Sequence, residues 1–206
     1  MYIFGILIFV PFIILIVLIA GAVYLVMALR RRRSRVDAGI GTVRRLYFYS
    51  VSFVALMMAA NGIMLVALNL LDRLFAGSAI FTSTTRLAWG LALVIIGLPM
   101  WAFHWRAMTR HVAALPVETR SELRKIYLYL VMGVGVAFVL VNAPSMLEQV
   151  FGLAGFRSLP WAAVAVWSLV WFAHWKIESR EDQATPETLG IKRFYLYLVS
   201  LAALTM

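Results

Sequence analysis

Long apolar stretches alternate with short polar links along this chain, and the stretches have the length of membrane-crossing helices. A helix needs about 20 mostly apolar residues to span a bilayer, and fewer when aromatic residues anchor its ends. Five stretches meet this requirement, at residues 2–29, 47–71, 87–103, 127–150 and 159–172. The pattern predicts an all-α fold, an integral membrane helical bundle with five transmembrane helices.

A sixth apolar stretch, residues 194–206, is shorter than the others. At about 1.5 Å per residue it reaches roughly 20 Å, whereas the hydrocarbon core is about 30 Å thick. We therefore expect a truncated sixth helix, or alternatively a half-inserted or interfacial one. The first stretch has no basic residues before it and a run of arginines after it, so we expect a retained anchor rather than a cleaved signal peptide.

Two short motifs recur at the ends of these stretches. An opening motif, Arg/Lys-x-Tyr-x-Tyr, stands at 45–49, 125–129 and 193–197, and a closing motif, Trp-x-x-His-Trp, at 101–105 and 171–175. They predict an N-terminal transmembrane anchor with its basic stop (1–35), a first two-helix repeat (36–111), a second (112–181) and an incomplete third (182–206).

The distribution of charge along the chain predicts how the helices are oriented in the membrane. The chain is 64% hydrophobic with a net charge of +10, and sixteen of its nineteen Lys and Arg residues fall in links on one side of the predicted membrane. The positive-inside rule assigns that side to the cytoplasm and places the N-terminus outside. The basic residues are then expected to contact anionic lipid headgroups, and no nucleic-acid partner is expected.

The aromatic residues of the two motifs lie where the predicted helices meet the cytoplasmic boundary. Tyr and Trp favour such boundaries because the ring is apolar and the hydroxyl or indole N–H is polar. The residues predicted as interfacial anchors are Tyr47, Tyr49, Tyr127, Tyr129, Trp101, Trp105, Trp171 and Trp175. For the tyrosines, a lipid-headgroup site is the functional alternative.

His104 and His174 hold equivalent places in the two closing motifs. Histidine titrates near neutral pH and ligates haem, so a proton-linked site or a haem or pigment site is conceivable beside an ordinary packing role. No cofactor is predicted, and haem or chlorin is the minority alternative. With no cysteine and only three histidines, no metal site is expected.

Polar residues within or near the predicted spans form a second candidate site. Asn61 and Asn142 lie mid-span, and Asp72 and Glu148 follow toward the exterior in the two repeats. Intramembrane polar groups are costly and often functional, so these four residues could bind a cation, with Pro144 interrupting the helix nearby. The structural alternative is helix capping, with Asp72 paired to Arg73 and the asparagines bonding between helices.

Small residues are spaced for close helix contacts. Ala55 and Ala59, and likewise Gly133 and Ala137, are four apart, while Gly90 and Gly97 are seven apart. Such spacing lets backbones approach each other, either within one chain or between copies. Self-association or contact with other membrane subunits is therefore an open alternative.

At its opening and closing motifs, over residues 44–206, the chain resembles an uncharacterised bacterial membrane family, a domain of unknown function with two-helix repeats. The resemblance implies a multi-pass protein of the bacterial cytoplasmic (inner) membrane and transfers no catalytic residue. Nucleophile elbows, phosphate loops and zinc-protease motifs are absent. We expect a non-enzymatic scaffold, anchor or sensor subunit; the alternatives are an ion transporter or channel using Asp72 and Glu148, and a haem- or pigment-binding subunit using His104 and His174.

Overall fold

The computed structural model describes residues 39–75, 84–114, 121–181 and 185–204. Five helices account for nearly all of them: α1, Gly39–Phe75; α2, Thr84–Ala114; α3, Glu122–Val150; α4, Ser158–Arg180; and α5, Pro186–Leu204. Within these ranges there is no strand, which confirms the all-α prediction. The first predicted span, residues 2–29, lies outside the described residues.

Three helical segments are long and apolar enough to cross a membrane. They are Arg44–Phe75, Thr84–Arg110 and Glu122–Val150, which correspond to the second, third and fourth predicted spans. Helix α4 is not among them, although it contains the fifth predicted span. The number of spans and the outside N-terminus therefore stay predictions.

The chain divides into two compact units, Met1–Arg44 and Arg45–Met206. All the side-chain contacts described below lie within the second unit. Its core contains small and bulky apolar residues from α1, α3 and α4, and Trp167 is completely buried. The Trp167 ring stacks on Phe138 with centroids 4.3 Å apart, which joins α4 to α3.

Small residues bring α1 and α2 together, so here the contact that their spacing allows lies within one chain. A Cβ atom at Gly97 would lie 2.7 Å from the Ala59 nitrogen and 2.9 Å from the Ala55 oxygen. One at Gly62 would lie 2.8 Å from the Gly90 oxygen. Side chains larger than hydrogen would separate the two backbones, so the glycines fix this crossing within one chain.

The last helix is longer than its apolar stretch indicates. Helix α5 begins at Pro186 and continues without interruption into the third opening motif, giving 19 residues or about 28 Å. Thr185 and Thr188 cap its start reciprocally, because each backbone N–H donates to the other side chain's Oγ1 at 3.3 Å or less.

Helix α3 runs unbroken through Pro144, so the expected interruption of the fourth span is wrong. It ends in a tight turn where Gly152 has a φ of 72°. The Gly152 N–H donates to the backbone carbonyl oxygen of Gln149 at 3.1 Å. Glycine adopts this left-handed conformation at little cost. The turn leads into α4, with Trp161 donating its indole N–H to Gln149 Oε1 at 3.1 Å.

Candidate functional site

The two kinds of motif meet around the indole ring of Trp105. Tyr127 stacks on it with centroids 5.8 Å apart, and His174 lies edge-on at 6.0 Å. Trp101 stacks from the same helix at 6.2 Å, and the Arg124 guanidinium lies 5.6 Å from the ring centroid. Trp105 therefore joins α2 to both α3 and α4, and the cation adds to the packing energy.

Successive opening motifs are in contact through their tyrosines. Tyr49 of the first motif lies 5.5 Å from Tyr127, the first tyrosine of the second motif. Tyr129 of the second lies 5.2 Å from Tyr195, the first tyrosine of the third. In both pairs the second tyrosine of one motif packs against the first tyrosine of the next.

Opening and closing motifs also contact each other in corresponding ways. Tyr47 lies 6.1 Å from His104, and Tyr127 lies 5.9 Å from His174. Trp171 donates its indole N–H to the Tyr195 hydroxyl at 3.1 Å. The same sets of residue types thus meet at two places along the chain.

Burial separates the predicted interfacial anchors into two groups. The rings of Tyr49, Tyr127 and Tyr129 are buried against protein, so they connect helices rather than face lipid. Trp101, Trp105 and Trp171 are partly buried, whereas Tyr47 and Trp175 are exposed. A position at the membrane boundary stays a prediction for all eight.

A buried ion pair links α3 to the end of α4. Arg124 donates from Nε to both carboxylate oxygens of Glu181, at 3.0 and 2.9 Å, and also from Nη2. Arg124 is 2% exposed, so this bidentate ion pair is largely shielded from water. Such geometry gives a strong, directional contact.

Glu178 holds three helices together one turn before that pair. The Tyr129 hydroxyl donates to Glu178 Oε1 at 2.6 Å. The ammonium groups of Lys125 and Lys192 each lie 3.8 Å from the same oxygen, from α3 and α5 respectively. A buried carboxylate needs such partners, because an unpaired charge in a low-dielectric interior is strongly destabilising.

The two closing-motif histidines have the same backbone contact but different surroundings. The Nδ1 atoms of His104 and His174 lie 2.8 Å from the carbonyl oxygens of Met100 and Val170, respectively. His174 is 3% exposed. It lies two residues beyond the predicted fifth span, and burial lowers its pKa below the usual 6.5, opposed by the bond to Val170. His104 packs instead against Tyr47, Phe48 and Phe103.

Several buried polar atoms around Trp105 have no hydrogen-bond partner. Ser52 and Trp101 face the Tyr127 hydroxyl, but none of the three groups reaches bonding geometry. The others are Arg124 Nη1 and His174 Nε2. When Nδ1 of His174 carries a proton and donates it to the Val170 carbonyl oxygen, Nε2 is an acceptor without a donor. Protonation of Nε2 would remove that acceptor and add a charge.

The two acids of the predicted cation site have different surroundings. Asp72 accepts from Arg86 Nη2 at 2.5 Å and from the Ser158 hydroxyl. Its cationic partner is therefore Arg86 of α2, not the adjacent Arg73, because α2 begins beside the end of α1. Glu148 is exposed on α3.

The two asparagines bond within their own helices. Asn61 and Asn142 donate their amide N–H groups to the carbonyl oxygens of Met57 and Phe138, both at 2.8 Å. These bonds occupy the amides without joining helices. Among the described residues, no three His, Asp or Glu side chains group as metal ligands.

The sequence did not predict the ion pairs of Glu178 and Glu181, because both stand in a link whose net charge alone carried a prediction. A signal existed, because Glu178 follows His174 by four residues and so shares its helix face. For Arg124 and Lys125 the sequence predicted only a contribution to membrane orientation. Their burial depends on which helices become neighbours, which one sequence does not state.

No curated protein and no solved structure matches the chain. The family described as "Domain of unknown function (DUF5671)" matches residues 45–158, from the first opening motif to the start of α4 and more than half of the chain. Because this match covers more than half of the chain, the chain belongs to the DUF5671 family.

Proposed function

We propose that this protein is a non-enzymatic membrane scaffold or sensor subunit whose helical hairpins are joined on one side by the contacts around Trp105. The observation that carries the proposal is that the motif side chains contact one another between helices. Trp105 packs against Tyr127 and His174, and Arg124 binds Glu181 beside them. Side chains engaged in this way stabilise an arrangement of helices and have few groups left for a substrate.

The contacts of the polar residues weigh against the transporter alternative. An ion path needs acceptor oxygens facing it, whereas Asp72 is neutralised by Arg86 and bonded by Ser158. Asn61 and Asn142 use their amides within their own helices. An unbroken α3 offers no free helix ends for ion coordination.

An ion-flux assay separates the scaffold from the transporter. The purified protein is reconstituted in liposomes loaded with pH- and cation-sensitive dyes, beside empty liposomes and the double variant Asp72→Asn/Glu148→Gln. We expect wild-type protein to give the flux of empty liposomes. Flux in the wild type that the double variant abolishes would overturn the scaffold proposal.

For the haem or pigment alternative, an absorption spectrum of the purified protein is sufficient. Two facing imidazoles are the simplest ligand pair for a haem between helices. His104 and His174 instead pack against different aromatic side chains. We expect no Soret or chlorin band.

We further propose a place in the bacterial inner membrane, with the residues around Trp105 on the cytoplasmic side next to anionic lipid. Its partners would be the bilayer and other membrane subunits. The chain has no cysteine, so single exposed positions can be changed to cysteine and labelled from one side of intact cells. Tyr47→Cys should be reached only by membrane-permeant reagents; labelling by an impermeant reagent would reverse the proposed orientation.

A further inference from the structure

The two closing-motif histidines are followed by different residues one helical turn further along the chain. Glu178 stands four residues after His174, whereas Met108 stands four residues after His104. Side chains four residues apart lie on the same face of a helix. The second closing motif thus has a carboxylate on the face of its histidine, and the first has a thioether. Both His174 and Glu178 are buried, with exposed fractions of 3% and 7%.

The surroundings of His174 suit a neutral imidazole. Its Nδ1 atom lies 2.8 Å from the Val170 carbonyl oxygen, and its Nε2 atom is buried and meets no hydrogen-bond partner among the described residues. The rings of Trp105 and Tyr127 pack against it at 6.0 and 5.9 Å. A proton on Nε2 would add a positive charge and an N–H group that needs an acceptor, at the cost of burying both.

The titratable and charged groups around His174 and Glu178 come from four helices. They are Tyr49 of α1, Arg124, Lys125, Tyr127 and Tyr129 of α3, Glu181 of α4 and Lys192 of α5. Helix α2 contributes the uncharged ring of Trp105. Arg124 engages both oxygens of Glu181, so Glu178 is the carboxylate that a protonated His174 can reach along its own helix face.

Glu178 also connects α4 to α5. The Lys192 ammonium of α5 lies 3.8 Å from Glu178 Oε1, to which the Tyr129 hydroxyl donates at 2.6 Å. The Tyr129 ring packs in turn against Tyr195 of α5, with centroids 5.2 Å apart. One contact of α5 is therefore made by this carboxylate oxygen, and a second is made by a side chain that the oxygen holds in place.

We propose that protonation of His174 draws the Glu178 carboxylate toward the imidazolium and loosens α5 from α3 and α4, so that this cluster is a pH-sensitive switch. The proton comes from solution and binds Nε2, and no covalent bond between heavy atoms changes. The imidazolium gains an acceptor, whereas Lys192 and Tyr129 lose theirs. Because burial lowers the pKa of His174, the change should have its midpoint below pH 6.5. This switch rests on the proposed sensor role, for which it would supply the input.

Distances between spin labels on α4 and α5 test the switch. The chain has no cysteine, so Ser179→Cys/Leu198→Cys carries labels at two exposed positions, one on each helix. The reference pair, Leu70→Cys/Ile95→Cys, labels α1 and α2, which contain neither His174 nor its carboxylate. The distance distributions are measured by pulsed electron paramagnetic resonance in nanodiscs of a zwitterionic lipid, between about pH 8 and about pH 5, which brackets the range where histidine titrates.

We expect the α4–α5 distance to lengthen by several ångström and its distribution to broaden as the pH falls, while the reference pair stays unchanged. His174→Gln should abolish the change because glutamine does not titrate, and Glu178→Gln should abolish it because the carboxylate is gone. His104→Gln is the matched control and should keep the change. The reference pair also reports whether each variant folds.

A constant α4–α5 distance in the wild type would overturn the switch. A change that persists in His174→Gln or in Glu178→Gln would overturn it as well, because another group would then supply the response. An equal change in the reference pair would show general unfolding by acid and would have the same consequence.

The proposed function and the switch can fail separately. Ion flux in liposomes would refute the scaffold or sensor role, whatever the label distances show. A distance that does not respond to pH would refute the switch and leave the scaffold that is formed by the contacts around Trp105.

Discussion

Gly97 offers a sharp test of the packing between α1 and α2. In Gly97→Ala the new Cβ would lie 2.7 Å from the Ala59 nitrogen and 2.9 Å from the Ala55 oxygen. Both are backbone atoms of a helix, so the helices must separate. Overpacking of this kind costs about 1–3 kcal/mol, and alanine's better helix propensity returns less than about 1 kcal/mol. We expect a net loss of about 1–2 kcal/mol.

Gly133→Ala is the matched control, because Gly133 also lies inside a helix but a Cβ there would meet nothing within 4 Å. Propensity alone then applies and predicts a gain of about 0.5–1 kcal/mol. The assay is reversible unfolding of the purified protein by sodium dodecyl sulfate in mixed micelles, followed by tryptophan fluorescence. Equal shifts of the unfolding midpoint, in the same direction, for both variants would refute the reasoning.

Three further predictions concern the ion pairs, the histidines and the indole bonds, all measured as unfolding midpoints. Glu178→Gln should lose about 1.5–3 kcal/mol because hydrogen-bonded charge is removed, whereas the exposed Glu148→Gln should stay within about 0.5 kcal/mol. Because burial lowers the pKa of His174, the free energy of unfolding should be highest above pH 6.5. It should decrease as the pH falls from 6.5 through the folded-state pKa, where the unfolded chain binds a proton that the folded chain does not. The slope is at most about 1.4 kcal/mol per pH unit; His174→Gln should flatten it and His104→Gln should not. Trp171→Phe should lose about 1 kcal/mol with its hydrogen bond, and no loss would show that the bond is not formed.

Local pattern was sufficient to predict three of the helices and to indicate where two of them could approach closely. Apolar length predicted α1, α2 and α3, and the spacing of Gly90, Gly97, Ala55 and Ala59 allowed a close contact, which the structure shows within the chain. Both inferences depend only on the spacing of residues along one helix, and the sequence states that spacing directly. Gly133 has the same spacing with Ala137 and open space around it, so spacing shows where an approach is allowed, not where it occurs.

The roles of the aromatic and charged residues could not be predicted in the same way. A tyrosine at a helix start is typical of the membrane boundary, and only the neighbouring helix determines that Tyr127 and Tyr129 are buried. The same holds for Asp72, whose partner Arg86 is fourteen residues away rather than adjacent. In each case, contacts between helices determine the burial or the partner of the residue.

The buried cations connect the orientation argument to the packing argument. Arg124 and Lys125 belong to the sixteen basic residues that predict a cytoplasmic side, yet each is 2% exposed and close to a carboxylate. Arg124, Lys125 and Lys192 each pair with a glutamate, and this pairing explains why they are basic. They are therefore not independent signals of orientation. Thirteen basic residues remain on that side against three on the other, and one of those three, Arg86, also has a packing partner. The charge bias that predicts orientation therefore survives when the paired cations are removed from it.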